Sequence, residues 1–230
     1  RVDTVEIEVL VDLEQGHGIA ASDLQVVGDL ERDPRLRATW PGLVHAIAEI
    51  STPLLRNMGT IGGNLLLDTR CNYYDQNYEW RKGINFCLKK DGDVCWVAPG
   101  SSKCWAVQSS DLVPVMVAIG AKFRLASTLG ERMIDAAGFY NDDGIDYLKK
   151  RPDELLVDIH LPPTNGWRAS YQKLRRRGAF DFPVLGVAAW VQVDEKHAGG
   201  TPAVPVKSLS PVFETSVLSD TYNEADDKRF

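Results

Sequence analysis

Cys71, Cys87, Cys95 and Cys104 are the only cysteines of the 230-residue chain, and all four fall within 34 consecutive residues. Thiolates are soft anionic donors, so such a set is a ligand shell for iron or zinc, or the material of two disulfides. The gaps hold 15, 7 and 8 residues. None is the CxxC knuckle of structural zinc, and none reproduces the compact ferredoxin run. What surrounds the cysteines favours an iron–sulfur cluster, which needs four thiolates, a shield from bulk water and N–H groups aimed at sulfur. Tyr73, Tyr74, Tyr78, Trp80, Phe86, Trp96 and Trp105 lie in the same stretch and can form the shield. Gly83, Gly92 and Gly100 let backbone amides come close. Zinc remains open as a second reading, in which the segment is a stapled interaction module without a redox role. Disulfides are the third, expected mainly of small exported chains.

Directly before the first cysteine runs Gly59-Thr60-Ile61-Gly62-Gly63-Asn64. Glycines admit positive φ, and successive amides can then form a nest for a pyrophosphate. Thr60 adds a hydroxyl, Asn64 an amide and Arg56 a positive charge. The plain alternative is a turn between two elements. The segment is neither a P-loop nor a dinucleotide GxGxxG signature. The histidines, His17, His45, His160 and His197, are scattered and are not needed as ligands.

The elements that must position these groups follow from periodicity. Val5, Ile7, Val9, Val11 and Leu13 alternate with polar residues as a half-buried strand. Asp33-Pro34 and Trp40-Pro41 read as helix starts with proline in the first turn. Leu43, Ala46, Ile47 and Ile50 repeat at helical spacing, in a helix that stops before Pro53. Residues 68–108 have little periodicity and read as an inserted cofactor-binding excursion. Ser110-Asp111 caps a helix over Leu112–Ile119. Strands are expected at Lys122–Leu125 and Glu154–Leu161, then near 168–176 and 184–193 with a turn at Gly178–Pro183. A short polar helix is expected over 142–150. From about residue 195 the chain is rich in Pro, Ser and charge and reads as a loose tail. This order lacks the strand–helix rhythm of a doubly wound sheet, so the fold class is α+β.

Composition narrows the function classes. With 26 basic and 32 acidic residues the net charge is −6, which offers no footprint for nucleic acid or anionic lipid. No apolar run approaches a membrane span and no signal-like segment opens the sequence, so cytoplasmic residence is expected.

Arg56-Asn57-Met58-Gly59-Thr60-Ile61-Gly62-Gly63-Asn64-Leu65 followed by Ser109-Ser110-Asp111-Leu112-Val113-Pro114 resembles the flavin-binding (medium) subunit of the molybdenum hydroxylases, the xanthine dehydrogenase and carbon monoxide dehydrogenase group. In most members the two segments are nearly contiguous. Here they are split by an insertion beginning Asp68-Thr69-Arg70-Cys71, which is similar to the one carrying a [4Fe-4S] cluster in the beta subunit of 4-hydroxybenzoyl-CoA reductase. The resemblance covers about residues 29–194. It implies a flavin-binding subdomain over 1–165, with mixed or antiparallel sheet and flanking helices, and part of a C-terminal α+β domain over 166–230. It implies FAD at Thr60, Ile61, Gly62, Gly63, Asn64, Asp111, Leu156 and Lys173, and iron held by Cys71, Cys87, Cys95 and Cys104. It further implies partner subunits with [2Fe-2S] centres and a molybdenum cofactor. Electrons would pass from a ferredoxin-like donor through [4Fe-4S] and FAD to those partners, for reductive removal of the phenolic hydroxyl of 4-hydroxybenzoyl-CoA. No substrate-transforming acid or base is implied on this chain. The family's small N-terminal lobe carries a second glycine-rich phosphate loop, to which Gly16-His17-Gly18 is a poor match.

Overall fold

Two antiparallel sheets and a set of short helices share one hydrophobic core. The structure, a computed structural model, describes residues 20–22, 25–164, 166–178, 180–192, 206–209 and 213–214. The strand expected over Val5–Leu13 and the Gly16-His17-Gly18 segment lie outside the described residues.

The first sheet has the order β1 (Ala20–Ser22), β4 (Leu155–His160), β2 (Lys122–Ser127), β3 (Gly130–Asp135). The second contains β5 (Trp167–Leu174), β6 (Leu185–Gln192) and β7 (Val206–Leu209), with β8 (Phe213–Glu214) also paired to β6. Every pairing between these strands is antiparallel, as the α+β reading requires. The expected strands at 168–176 and 184–193 are β5 and β6, in register from Trp167↔Gln192 to Leu174↔Leu185. The tail expected to be loose from about 195 is not wholly so. β7 and β8 lie within it and complete the second sheet, a long-range pairing that local composition does not encode.

The helices start where the sequence places proline and short polar caps. Asp33 accepts the N–H groups of Arg35 and Leu36 to open α2 (Pro34–Thr39), which follows α1 (Val27–Arg32). α3 (Pro41–Ala48) buries Leu43, Val44, Ala46 and Ile47 and packs on β5. Their approach is so close that a Cβ on Gly42 would lie 2.0 Å from the Ala169 carbonyl oxygen. α4 (Pro53–Arg56) is capped by Thr52. α5 (Ile61–Leu65) packs on β4, and α7 (Leu112–Ile119) packs on β5 and β6. Gly120 closes α7 with a left-handed φ of 74°, which glycine adopts without a Cβ penalty. α8 (Ala136–Phe139) follows β3. Trp40 stacks on Trp190 with centroids 4.9 Å apart, joining the helical layer to the second sheet.

Residues 142–150 form no helix. Asp143 Oδ1 accepts the Ile145 N–H at 2.9 Å, and Asn141 N–H reaches the Tyr147 carbonyl at 2.9 Å. This local carboxylate and the cross-chain bond take the polar groups a helix would have used.

Candidate functional site

The cysteine segment is an excursion closed at its base. Arg70 and Val107 exchange both backbone hydrogen bonds, at 2.9 and 3.1 Å. Between them the chain is mostly irregular, as expected of residues 68–108, but it contains one helix the sequence pattern did not show. α6 (Tyr78–Gly83) is opened by Asn77, whose side chain accepts the Trp80 N–H at 2.9 Å. Its apolar residues lack a continuous stripe, which is why periodicity missed it.

All four cysteines are free thiols; Cys87, Cys95 and Cys104 are buried and Cys71 is half-buried. Backbone N–H groups point at their sulfurs. Trp105 N–H donates to Cys95 Sγ and Ala106 N–H to Cys104 Sγ, each at 3.4 Å. Tyr73 and Tyr74 amides do the same for Cys71. Burial pushes the Cys71 thiol up and lifts Cys104 to about 11, against the pull of these donors. The sulfurs are close enough to influence one another: Cys71 feels Cys87 and Cys95, and Cys104 feels Cys95 and Cys71. Among the described residues, no three His, Cys, Asp or Glu side chains converge on a single metal-ion position.

Backbone strain marks the approach to Cys87. Asn85 and Phe86 both have φ of 60°, and Asp91 has 67°; for a bulky residue such as Phe this is a costly conformation. Gly92 makes the turn feasible, since a Cβ there would lie 2.8 Å from Asn85 O and from Cys87 N. Gly144 plays the same part for Cys104. Its N–H donates to the Cys104 carbonyl at 2.8 Å, and a Cβ would lie 2.7 Å from Ala106 O.

The glycine turn is built differently from a nest. Among the described residues, only Gly120, Gly130 and Gly166 are glycines with positive φ. Gly62 and Gly63 instead form the first turn of α5, with Thr60 as N-cap accepting the Gly63 N–H at 3.0 Å. Ile61 N–H is taken by Gln25 O at 2.9 Å. Arg56 does not serve the turn. It is buried and paired with Glu31 at 2.8 Å, with a further bond to Ile50 O.

From Asn64 a continuous polar chain crosses the molecule. Ser110 Oγ donates to Asn64 Oδ1 at 2.6 Å and accepts the N–H groups of Leu112 and Val113. Ser110 thus does the capping expected of the Ser110-Asp111 pair. Asp111 is freed for the second sheet, where it accepts the Tyr171 hydroxyl at 2.7 Å and the Lys173 ammonium at 2.9 Å. Burial raises the Asp111 carboxyl's pKa, while Lys173 and Tyr171 oppose that. Lys173 also donates to Glu49 O at 2.9 Å. Leu156 lies in the core on β4, the strand under α5.

The structure therefore joins Asn64, Asp111 and Lys173 through Ser110, and sets Leu156 on the strand beneath their turn. It adds Tyr171 and Gln108, which the sequence reading did not single out. Gln108 donates to Leu65 O and Leu67 O at 3.1 Å each, while its Oε1 is buried without a partner. An orphaned buried acceptor beside the glycine turn is what a site for a hydrogen-bond-donating ligand looks like. Nothing in the local sequence distinguishes this glutamine.

With this geometry in place, the comparisons with known proteins fall into one group. The family model described as the FAD binding domain in molybdopterin dehydrogenase matches residues 3–164, beginning earlier than the resemblance over 29–194. The FAD-binding subunit PaoB of an aldehyde oxidoreductase from Escherichia coli (strain K12) is 32% identical over 72% of this chain and 55% of its own length. The carbon monoxide dehydrogenase medium chain of Hydrogenophaga pseudoflava is 26% identical over 76% of this chain and 47% of its own. A solved structure of carbon monoxide dehydrogenase from the same organism superposes with a TM-score of 0.56 at 24% identity, covering 82% of this chain and 50% of the other. At that identity the superposition speaks for the fold alone. The chain spans about half the length of the curated relatives it matches. Among the described residues, no helix is long and apolar enough to cross a membrane. The family match over residues 3–164 makes this chain a member of the FAD-binding domain family of the molybdopterin dehydrogenases.

Proposed function

We propose that this chain is the flavin- and cluster-bearing electron-transfer subunit of a molybdenum-containing oxidoreductase. Residues 1–165 form its FAD-binding subdomain and 166–230 part of a C-terminal domain. Thr60, Ile61, Gly62, Gly63 and Asn64 hold the flavin nucleotide together with Asp111, Leu156 and Lys173, and the unpartnered Gln108 acceptor fits such a ligand. Cys71, Cys87, Cys95 and Cys104 hold a [4Fe-4S] cluster. When bound, the two groups supply single-electron transfer between an external donor and partner subunits.

The single observation that carries this reading is the set of four cysteines: three buried and one half-buried, three of their sulfurs receiving backbone N–H donors, on an excursion closed by Arg70 and Val107. N–H donors to sulfur and a shielding shell are the means by which proteins tune such clusters. A lone zinc ion would draw four sulfurs to about 2.3 Å from one point. By count four thiolates suit either group; the backbone N–H donors to three of the sulfurs are what favours the cluster.

At the finer level we read the complex as a 4-hydroxybenzoyl-CoA reductase. It would have a [2Fe-2S] subunit, a molybdenum-cofactor subunit and a ferredoxin-like donor. The resemblance of the insertion beginning Asp68-Thr69-Arg70-Cys71 is the feature behind this finer reading. Substrate chemistry would lie on another polypeptide; this chain's residues bind, orient and shield the redox groups.

The test is anaerobic purification of the chain with whatever subunits accompany it, followed by iron, acid-labile sulfide, zinc and flavin analysis. About four irons and four sulfides per chain are expected, and fewer than about three irons refute the cluster. A colourless protein with one zinc returns the zinc-stapled module. Dehydroxylation of 4-hydroxybenzoyl-CoA by the loaded complex with reduced ferredoxin tests the finer level.

A further inference from the structure

Lys89 is the most heavily engaged cation of the excursion. Its ammonium lies 2.7 Å from Asp68 Oδ1, 2.8 Å from Thr69 O, 2.5 Å from Thr69 Oγ1 and 2.9 Å from Gly144 O. The rings of Tyr74 and Tyr147 face it at 4.9 and 5.3 Å. Its side chain is only 9% exposed, whereas its one anionic partner, Asp68, is 37% exposed. A buried ammonium held mainly by neutral oxygens and two aromatic faces keeps much of its field for its surroundings.

The position of that field matters. Lys89 is two residues from Cys87, and its acceptor Gly144 belongs to the residue pair that fixes Cys104. One side chain thus spans from the strained turn carrying Cys87 to Gly144, whose N–H bonds the Cys104 carbonyl, and ties both to residues 68–69 at the base of the excursion.

We infer that Lys89 is a positioning residue of the cluster site: it ties the Cys87 turn to Gly144, the residue bonded to Cys104, and supplies the buried positive charge that raises the cluster's reduction potential. The inference rests on the cluster proposed above. The physical basis is that a thiolate-ligated cluster carries net negative charge, and each electron added deepens it. A fixed cation nearby favours the reduced form.

The experiment uses the anaerobically purified, cluster-loaded complex and its Lys89→Met, Lys89→Arg and Asp68→Asn forms. Each is titrated with dithionite through redox mediators and followed by electron paramagnetic resonance, with iron and sulfide measured in parallel. Lys89→Met is expected to shift the equilibrium about tenfold toward the oxidised cluster, a fall of about 59 mV for one electron. Lys89→Arg should stay close to wild type. Asp68→Asn, which removes the partly neutralising carboxylate and leaves the ammonium its carbonyl partners, should shift the potential upward. A general loosening of the loop would move both charge variants the same way, so shifts of equal sign, or none, overturn the inference. If Lys89→Met does not accumulate, Asp68→Asn decides alone: an unchanged or lowered potential overturns it. Wild-type protein without iron overturns the cluster assignment as well, whereas a loaded wild type with flat variants overturns only the role of Lys89.

Discussion

Replacing Lys173 with methionine tests the link between the flavin turn and the second sheet. Lys173 is 1% exposed and Asp111 6% exposed, and their charged atoms are 2.9 Å apart. Methionine keeps most of the side-chain volume and removes the charge. Asp111 is then left as a buried carboxylate with the Tyr171 hydroxyl as its remaining side-chain donor. Breaking one member out of a buried pair costs about 3–5 kcal/mol, because the other charge stays behind uncompensated. At about 2–4 °C per kcal/mol for a domain of this size, melting should fall by roughly 6–20 °C. The loss should depend on pH in a defined sense. Burial already raises the Asp111 carboxyl, and losing the ammonium raises it further. A carboxyl whose folded pKa lies above its unfolded one contributes most when protonated, and that contribution is lost as pH rises through the folded value. The deficit of Lys173→Met should therefore shrink toward acid pH and grow toward neutrality. Circular-dichroism melts of the two single variants and the Lys173→Met/Asp111→Asn double variant at pH 5 and 7.5 measure this. The double variant should be more stable than the sum of the single losses predicts. Strictly additive losses with no pH dependence would show that the pair is not a buried unit.

Three further perturbations address other parts of the frame. Gly92→Ala places a Cβ 2.8 Å from two backbone atoms of the turn before Cys87; overpacking of about 1–3 kcal/mol confined to that turn should lower retained iron several-fold, with the far-ultraviolet spectrum unchanged. Ser110→Ala removes the α7 cap and the bond to Asn64; a loss of about 1 kcal/mol in denaturant unfolding is expected, with weaker flavin retention on gel filtration. Glu154 is buried against Arg132, which holds its carboxyl down at about 2. Its contribution should be complete above the ordinary carboxylate range and fade as pH falls from about 4.5 toward 2. Glu154→Gln should then differ most from wild type in urea melts at neutral pH, with the difference narrowing from about pH 4.5 and closing only near pH 2.

The helices whose starts are written locally were legible in the sequence. Asp33-Pro34, Trp40-Pro41 and Ser110-Asp111 open α2, α3 and α7, because caps and first-turn prolines act over three or four residues. The alternating strands β5 and β6 were legible for the same reason. What failed depended on distant partners. Arg56 was assigned to the glycine turn, yet Glu31 and Ile50 O claim it. Residues 142–150 gave up a helix to bond Cys104 and to close on Phe139 and Asn141. β7 and β8 exist only because β6 offers an edge. In the candidate site the donors were legible as residue types, but Gln108, Tyr171 and Lys89 are ordinary residues whose importance comes from what lies across the fold.

The separation of the cysteine excursion from the glycine turn is set by one short stretch. Val107 closes the excursion on Arg70; Gln108 binds the carbonyls of Leu65 and Leu67; Ser110 binds Asn64 and caps α7; Asp111 binds Tyr171 and Lys173. Residues 107–111 thus touch the neck of the excursion, the end of α5, the start of α7 and the second sheet in turn. Each contact is a hydrogen bond from a buried or half-buried group, so sliding the stretch by one residue would break all of them together. This explains how a long irregular insertion can sit in a packed domain without loosening it. The frame is sealed at Arg70 and Val107, and extra loop length adds only slowly to the entropy of closure. The same seal fixes the base of the excursion relative to the turn. The proposed redox groups, on the excursion and at the turn, would need such pre-organisation to exchange electrons.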